Sequence, residues 1–167
     1  MTRQKLSDAG LALLEQLEGY TPVAHHLPAD RPGVVTGGYG ETHVRLGETH
    51  TQAEWEARLR TRVRIIEMLV NAGLITALPQ ASFDALVLFT YNVGPGDPKA
   101  HPPVDGFLTS TLRRELNLGH LENAAEQFKV WNQVDGHVCP GLTHRRAVEE
   151  ALFRQGMATL GVPQKAA

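Results

Sequence analysis

The first amphipathic pattern in the chain lies between Ser7 and Glu18 and predicts a helix. Leu11, Leu14 and Glu18 are spaced so that one stripe of a helix carries all three. Ser7 suits the N-cap position, and Gly19 suits the left-handed conformation that commonly ends a helix. The pattern therefore places Glu18 in the last turn, on the side that faces the protein interior.

Helical periodicity is absent from residues 20–42 and returns in the rest of the chain. The aperiodic stretch is rich in Gly, Pro, Thr, Val and His, and residues 34–36 have strand character, so we expect a small β-hairpin region there. Thr51 and the region of Ser82 supply polar helix starts. Short strands followed by helices predict the α+β class. The further helices are expected approximately over residues 52–72, 80–91, 109–118, 121–130 and 143–156.

The composition is that of one soluble globular domain. The chain has 167 residues, 42% of them hydrophobic and 20% charged, which is enough to bury one core. A net charge of −2 argues against strong binding to nucleic acid. The lone Cys139 excludes an internal disulfide and suits a reducing cytoplasm. The N-terminal residues lack the apolar core of a signal peptide, and the chain has no transmembrane run.

Glu18 is the first candidate for chemistry. Partial desolvation and the negative end of the helix dipole both disfavour the anionic form of its carboxyl group, as a general acid requires. From helix geometry alone, Glu18 can equally be an ordinary last-turn carboxylate that reaches water. A second polar set follows it in the chain, with Asp30, Gly33 and Thr36 leading into a glycine-rich turn. A carboxylate that faces a second polar set is the minimum needed to split a glycosidic bond.

The glycine-rich turn, residues 36–40, is better explained by close packing than by nucleotide binding. It lacks the Gly-Lys-Ser/Thr ending of a phosphate loop and a strand–loop–helix context. Glycine allows backbone conformations and close approaches that side chains would block, so we expect this turn to shape a wall of the site. Asp30 has its own alternative, because an Asp before Pro32 and Gly33 is an ordinary turn signal.

Two pairs of residues are assigned structural roles. His25 and His26 are adjacent but lack any metal-ligand spacing, so we expect surface histidines, no metal and no other cofactor. Trp55 and Trp131 lie in helically periodic surroundings and are expected in the core.

The order and spacing of the motifs are similar to those of a known family. Glu18-Gly19-Tyr20, then Asp30, Gly33, Thr36 and the turn Gly38-Tyr39-Gly40, resembles the signature of the phage-type lysozymes, the bacteriophage endolysins of glycoside hydrolase family 24. The resemblance covers roughly residues 5–156. The matching elements of the second half are residues 82–87, 91–94, 110–112, 117–119, 124–128, 131–132 and 141–153.

The resemblance implies hydrolysis of the β-1,4 bond between N-acetylmuramic acid and N-acetylglucosamine in peptidoglycan. Glu18 would be the proton donor, Asp30 would orient or activate water, and Thr36 would hold that water on the opposite face of the sugar. Such an arrangement inverts the anomeric centre. The implied architecture is one lysozyme-like domain over residues 1–167. It has a small α/β lobe at about 18–50, a larger helical lobe at about 51–156 on which the first helix packs, and a cleft between them.

The resemblance also implies supporting residues, each with an alternative. Asn92 stands where the family has an amide-bearing residue facing the cleft, although it can instead cap a helix. Arg145 aligns with an arginine that pairs with the catalytic Glu, although Arg145 and its neighbour can be a solvated helix start. Tyr20 and Tyr39 are candidate aromatic walls of the groove, and Tyr39 can equally pack in the core.

Three features depart from the family pattern. Residues inserted around 25–28 lengthen the interval between Glu18 and Asp30, which makes Asp30 the weakest of the three catalytic assignments. Glu41 stands where the family commonly has His. Residues 94–107 form a longer and more proline-rich connection than usual.

The resemblance implies the peptidoglycan glycan strand as the partner of a monomer, with no nucleic acid and no integral membrane segment. The protein would collect in the host cytoplasm until a separate membrane-permeabilising protein releases it to the wall, unless the chain is excised from a larger protein. Two other functions stay open. One is a non-catalytic wall-binding module with the same fold, and the other is a lytic transglycosylase that leaves a 1,6-anhydro product.

Overall fold

The computed structural model describes residues 3–26 and 33–161. Within them the chain combines helices with two short antiparallel hairpins, which confirms the predicted α+β class. The helices are α1 Asp8–Glu18, α2 Gln52–Gly73, α3 Gln80–Val93, α4 Thr111–Asn117, α5 Leu121–Glu126 and α6 Pro140–Ala158. The strands are β1 Thr21–His25, β2 Thr36–Gly38, β3 Gln133–Val134 and β4 His137–Val138.

The contacts divide the described residues into two compact units. The smaller unit is Leu11–Arg64, and the larger unit takes in the described residues before and after it. The predicted lobe boundaries at 18–50 and 51–156 stay a prediction.

Helix α1 begins and ends as its sequence predicts. Ser7 Oγ accepts a hydrogen bond from the Gly10 backbone N–H at 3.0 Å, which is the bond of an N-cap. Asp84 supports this cap, because its carboxylate accepts from both the backbone N–H and the hydroxyl of Ser7. At the other end Gly19 takes a φ of 72°, and the helix stops at Glu18.

The smaller unit carries the first hairpin. Strand β1 pairs antiparallel with β2, with Thr21 opposite Gly38 and His25 opposite Thr36. The start of α2 is fixed by a capping box, since the Thr51 backbone N–H donates to the Glu54 carboxylate at 2.8 Å and the Glu54 N–H donates back to Thr51 Oγ1 at 3.3 Å. The buried apolar side chains of this unit are Leu11, Leu14, Ala24, Tyr39, Trp55, Leu59 and Val63.

The larger unit is built on the packing of α3 against α6. Ser82 Oγ donates to the Phe153 carbonyl at 2.8 Å, and an added Cβ on Gly156 would lie 2.2 Å from Ser82 Oγ. The two backbones can therefore approach closely only because residue 156 is glycine. Phe128 lies between two aromatic rings of this core, with ring centroids 5.3 Å from Phe89 and 5.6 Å from Phe153.

Several elements differ from the sequence-based expectation. The helix expected over 121–130 ends at Glu126 and gives way to a 3₁₀ turn, Phe128–Val130. The last helix begins at Pro140 rather than near Thr143, because proline is favoured in the first helical turn. The hairpin of β3 and β4 was not expected. Ser82 is buried inside α3 and is not a helix start.

Candidate functional site

Glu18 lies at the point where α1 turns into β1. It is the last residue of the helix and is half-buried. Its carboxylate oxygen Oε2 lies 3.1 Å from the position that a Cβ on Gly40 would occupy, and Gly40 has a φ of 73°. The carboxyl group therefore rests against the glycine-rich turn, and a side chain at position 40 would displace it.

The glycine-rich turn is closed by its own backbone. Gly37 and Glu41 exchange hydrogen bonds, with both N–H to O distances at 2.9 Å. An Arg62 guanidinium N–H donates to the Gly40 carbonyl at 3.2 Å, which fixes the tip of the turn from α2. The turn is thus a rigid support for the carboxyl group of Glu18.

Trp55 explains why this support needs glycine. An added Cβ would lie 2.4 Å from the indole at Gly38 and 3.1 Å from it at Gly37. The indole N–H donates to the Pro22 carbonyl on β1 at 3.2 Å. Trp55 is 1% exposed, so its predicted place in the core is confirmed.

Thr36 is the second residue that the hairpin positions. It opens β2, lies opposite His25 on β1, and is buried. Because β1 begins three residues after Glu18, the same two-stranded sheet follows directly from the helix end that carries the carboxyl group. Asp30 lies outside the described residues.

The two candidate tyrosines of the smaller unit form a ring pair. The centroids of Tyr20 and Tyr39 are 5.2 Å apart at an interplanar angle of 41°. Tyr20 is 40% exposed, whereas Tyr39 is 4% exposed and its hydroxyl accepts from Gln52 Nε2 at 3.2 Å. Of the two rings, Tyr20 is the one with a face available to a ligand, and Tyr39 packs in the interior.

The adjacent histidines bond to backbone. The Nδ1 atoms of His25 and His26 lie 2.9 Å and 2.8 Å from the carbonyl oxygens of Val23 and Val34. Within the described part of the chain, no three His, Cys, Asp or Glu side chains come together as a metal site would require.

Arg145 is held in a buried charge network in the larger unit. Its Nε donates to Glu149 Oε1 at 3.0 Å, and Arg146 forms an ion pair with Glu149 Oε2 at 3.1 Å. Arg145 is 7% exposed and Arg146 is 1% exposed. A solvated helix start is therefore wrong for this pair.

Asn92 lies in the last turn of α3. Its side-chain oxygen accepts a hydrogen bond from Arg146, and the helix is capped by Gly94, so the capping alternative for Asn92 is wrong. Asn92 and Trp131 line a pocket of about 370 Å³. Trp131 is only half-buried and meets Phe89 edge-on at 5.5 Å, which corrects its expected place in the core.

A polar cluster surrounds Glu48 in the smaller unit. Its carboxylate accepts from the Arg45 backbone N–H at 2.9 Å and contacts His50 Nε2 at 2.8 Å and an Arg58 guanidinium N at 2.9 Å. These hydrogen bonds lower the pKa of Glu48 to about 2.

Residues 15–149 match the Phage lysozyme family. The chain belongs to the phage lysozyme family. An endolysin of Acyrthosiphon pisum secondary endosymbiont phage 1 is 34% identical over 153 residues, which are 89% of this chain and 97% of that protein.

Solved structures agree with this membership. The muramidase domain of SpmX from Asticaccaulis excentricus is 34% identical, with a TM-score of 0.76 over 90% of this chain and 98% of that one. The endolysin of Escherichia coli O157:H7 phage FAHEc1 is 29% identical, with a TM-score of 0.76 over 90% and 93% of the two chains. The expected lysozyme-like fold is confirmed.

As a member of this family, the chain is a muramidase-type hydrolase that lyses peptidoglycan and acts on the cell wall. In the described part of the chain, no helix has both the length and the apolar character needed for a membrane crossing.

Glu48→Gln is expected to lower stability in a pH-dependent way. A carboxylate with a lowered folded-state pKa contributes stability above the unfolded-state pKa and loses it as the pH falls toward its folded value. The difference in free energy of unfolding between wild type and variant should therefore be largest above about pH 5 and should shrink as the pH falls toward 2. Urea unfolding at several pH values measures it, and a difference that does not change with pH contradicts the prediction.

Glu15→Gln is a control for which we expect a change in stability of the opposite sign. Burial and the neighbouring Glu56 raise the pKa of Glu15, so its charge opposes folding at neutral pH. We expect this variant to be slightly more stable than wild type near pH 7, with the gain disappearing in acid.

Proposed function

We propose that this enzyme hydrolyses the β-1,4 bond between N-acetylmuramic acid and N-acetylglucosamine with inversion at the anomeric carbon. Glu18 donates its proton to the glycosidic oxygen, while water attacks the anomeric carbon from the opposite face. Asp30 accepts the proton of that water, and the Thr36 hydroxyl holds the water in place. A threonine hydroxyl is too weak a base to act alone, so Thr36 has a positioning role.

The observation that carries this proposal is the placement of the Glu18 carboxyl group. It stands at a helix C-terminus, is half-buried and rests 3.1 Å from the Cβ position of Gly40. A general acid must hold its proton until the glycosidic oxygen takes it, and we propose this role for the Glu18 carboxyl group. Backbone hydrogen bonds between Gly37 and Glu41 close the turn against which the carboxyl group rests. A preformed support of this kind favours one orientation of a catalytic group.

The proposed water site depends on the hairpin. Thr36 belongs to the strand that leads into the same glycine-rich turn, so one rigid element carries both the support of the acid and the hydroxyl. An inverting hydrolase needs about 6.5–9.5 Å between the acid and the group that activates water, because the water must fit between them. The Asp30-to-Thr36 interval of the family is intact in this chain, which supports a joint role for the two residues.

The remaining candidates are proposed to hold the sugar chain. Tyr20 offers an exposed ring for stacking on a sugar face. Asn92 contributes an exposed amide beside Trp131, at a pocket large enough for part of a sugar. Arg145 acts through the buried network with Glu149 and not as a direct sugar ligand.

The setting of the enzyme is part of the proposal. We propose a monomer that acts on the peptidoglycan glycan strand, binds no nucleic acid, and collects in the host cytoplasm until it is released to the wall. The net charge of −2 supports reliance on specific sugar contacts rather than on bulk attraction to an anionic wall.

Product analysis tests the reaction. Purified peptidoglycan is digested in ¹⁸O-labelled water, and the products are read by mass spectrometry and by anomer-resolved NMR of the first turnovers. We expect reducing muramic acid ends that carry one ¹⁸O and form first as the α-anomer. Products that end in a 1,6-anhydro sugar would instead identify a transglycosylase, and β-anomers would reject inversion. If no products form, the protein is a wall-binding module and not a hydrolase.

Asp30→Asn tests the water-activating role. If the carboxylate accepts the proton of the attacking water, activity should fall about 10–100-fold, since a single general base contributes on this scale. Thr36→Val should lower activity by a similar amount if its hydroxyl positions the water, and Thr36→Ser should restore most of it. Turbidity assays on wall preparations measure the rates. Near-wild-type activity of Asp30→Asn would favour the turn-forming role of Asp30.

A further inference from the structure

A pocket beside the start of α4 is not used by the proposed reaction. It has a volume of about 350 Å³, which lies within the range of small-ligand sites. One wall is apolar and is formed by Pro98, Pro103 and Leu108, while Arg113 and Arg114 line the other side. The pocket thus combines an apolar wall with two cationic side chains.

Pro98 and Pro103 of the apolar wall belong to the proline-rich segment 94–107, which departs from the family pattern. Backbone hydrogen bonds fix the shape of this segment. Asp97 and Val104 exchange two bonds, each at 3.0 Å. At its base the Phe107 N–H donates to the Gly94 carbonyl at 3.0 Å, and the Leu108 N–H donates to the Pro95 carbonyl at 2.7 Å. The wall is therefore preformed and needs no ordering when a ligand binds.

Arg113 is the unusual member of the pocket. Its Nε is buried and has no hydrogen-bond partner among residues 3–26 and 33–161. Its aliphatic stem packs on the end of α2, where an added Cβ on Gly73 would lie 3.3 Å from Arg113 Cδ. A buried donor of a charged group without a partner is unfavourable and calls for an explanation, such as an ion or water. Because Nε is shielded, the terminal guanidinium nitrogens of Arg113 are the donors that a ligand in the pocket can reach.

The neighbouring charges are already matched, which singles out Arg113. Arg114 lies 3.6 Å from a carboxylate oxygen of Glu115, and that residue also bonds to His120 at 3.0 Å. Asp97, which precedes the pocket-lining Pro98, accepts at Oδ1 from the Lys99 backbone N–H at 2.8 Å. In the described part of the chain, Arg113 is thus the pocket cation that has no carboxylate beside it.

We propose that this pocket binds a carboxylate carried on a short apolar group, of the kind found in an N-acyl amino acid, and that Arg113 holds the carboxylate. A guanidinium presents two parallel N–H donors that match the two oxygens of a carboxylate. The apolar group would lie against Pro98, Pro103 and Leu108. The site shares no residue with the proposed catalytic set, so it can be tested without any measurement of activity.

NMR titration of the whole protein tests the site directly. The ¹⁵Nε–H signal of Arg113 is followed while N-acetylalanine is added, and N-acetylalanine amide serves as an uncharged probe of the same shape. We expect a saturable shift with a millimolar dissociation constant for the acid and at least tenfold weaker binding for the amide. No saturable shift for the acid, or an equal response to the amide, overturns the proposal.

Variants and a second anion complete the test. Arg113→Gln should abolish the backbone shifts of residues 107–110 on adding the acid, and Arg113→Lys should retain weakened binding. Lys99→Gln is the matched control, because it removes a charge from the same segment but not from the pocket, and should change affinity less than twofold. Inorganic phosphate in place of the acid distinguishes the anion. Binding of phosphate as tight as that of N-acetylalanine would reject the carboxylate assignment.

Discussion

Glu18→Gln should lower lysis of peptidoglycan by about 10²–10⁴-fold, the range that a positioned general acid contributes. Glutamine has the size of glutamate and can keep hydrogen bonds, but it carries no proton that it can transfer to the glycosidic oxygen. The fold should be retained, because the side chain is half-buried and rests against glycine backbone rather than in the interior. Turbidity assays and product analysis measure activity, and circular dichroism with urea unfolding measures the fold.

Glu15→Gln is the matched control for this experiment. It makes the same chemical change one turn earlier on α1, and it also lies in the smaller unit. We expect activity within about twofold of wild type, since Glu15 is not among the residues proposed to act on the substrate. Lysis retained by Glu18→Gln would reject the assignment of the acid, whereas equal loss in both variants would point to a general effect on α1.

Glu149→Gln should destabilise the protein by about 3–5 kcal/mol, which is the usual cost of removing one partner from a buried ion pair. The Glu149 side chain is fully buried, and its two oxygens contact Arg145 at 3.0 Å and Arg146 at 3.1 Å. Without the carboxylate, two buried guanidinium groups lose the negative charge that both contact. The free energy of unfolding from urea titrations gives the difference, and a lower thermal midpoint should accompany it.

The neighbouring carboxylate provides the comparison. Glu150 pairs with Arg154 at 2.9 Å, but Arg154 also contacts Glu122 and Glu126 at 2.6 Å and 2.9 Å. Glu150→Gln should therefore cost at most about 1 kcal/mol, as for other partly exposed pairs. Equal losses in the two variants would contradict a special contribution of the buried network.

Local signals in the sequence account for the elements that were predicted correctly. Ser7 and Gly19 mark the two ends of α1, and the Thr51 and Glu54 capping box marks the start of α2. These signals act between residues a few positions apart, so the sequence alone displays them. The α+β class follows from the same local patterns.

Long-range packing accounts for the elements that the sequence did not predict. The helix expected up to residue 130 is interrupted where Phe128 inserts between Phe89 and Phe153. Helical periodicity in the sequence does not reveal this packing between distant residues. The hairpin of β3 and β4 turns at Asp135-Gly136, with φ values of 50° and 79°. An Asp-Gly pair is a hairpin signal, but its strands have only two residues each and show no alternation to support it.

In the candidate site too, features set by nearby residues could be predicted and features set by long-range packing could not. Glu18 could be named as a candidate from its helix and the turn that follows, because both lie close to it in sequence, and its catalytic role stays a prediction. The burial of Arg145 and Arg146 could not be predicted, because their partner Glu149 stands at a spacing that exposed helix ion pairs also use. The contact of Arg146 with Asn92, 54 positions away, cannot be seen in the sequence. Charged residues without a visible partner are ordinarily assigned to the surface.

The placement of the two tryptophans gives the protein a separate fluorescent reporter for each unit. Trp55 is shielded from solvent in the smaller unit, whereas Trp131 is half-buried at a pocket of the larger one. Shielded indole emits at shorter wavelength and resists quenching by acrylamide. Replacing Trp131 by Phe would leave an emission signal that follows the unit bearing Glu18 alone, so its unfolding can be observed apart from that of the helical unit.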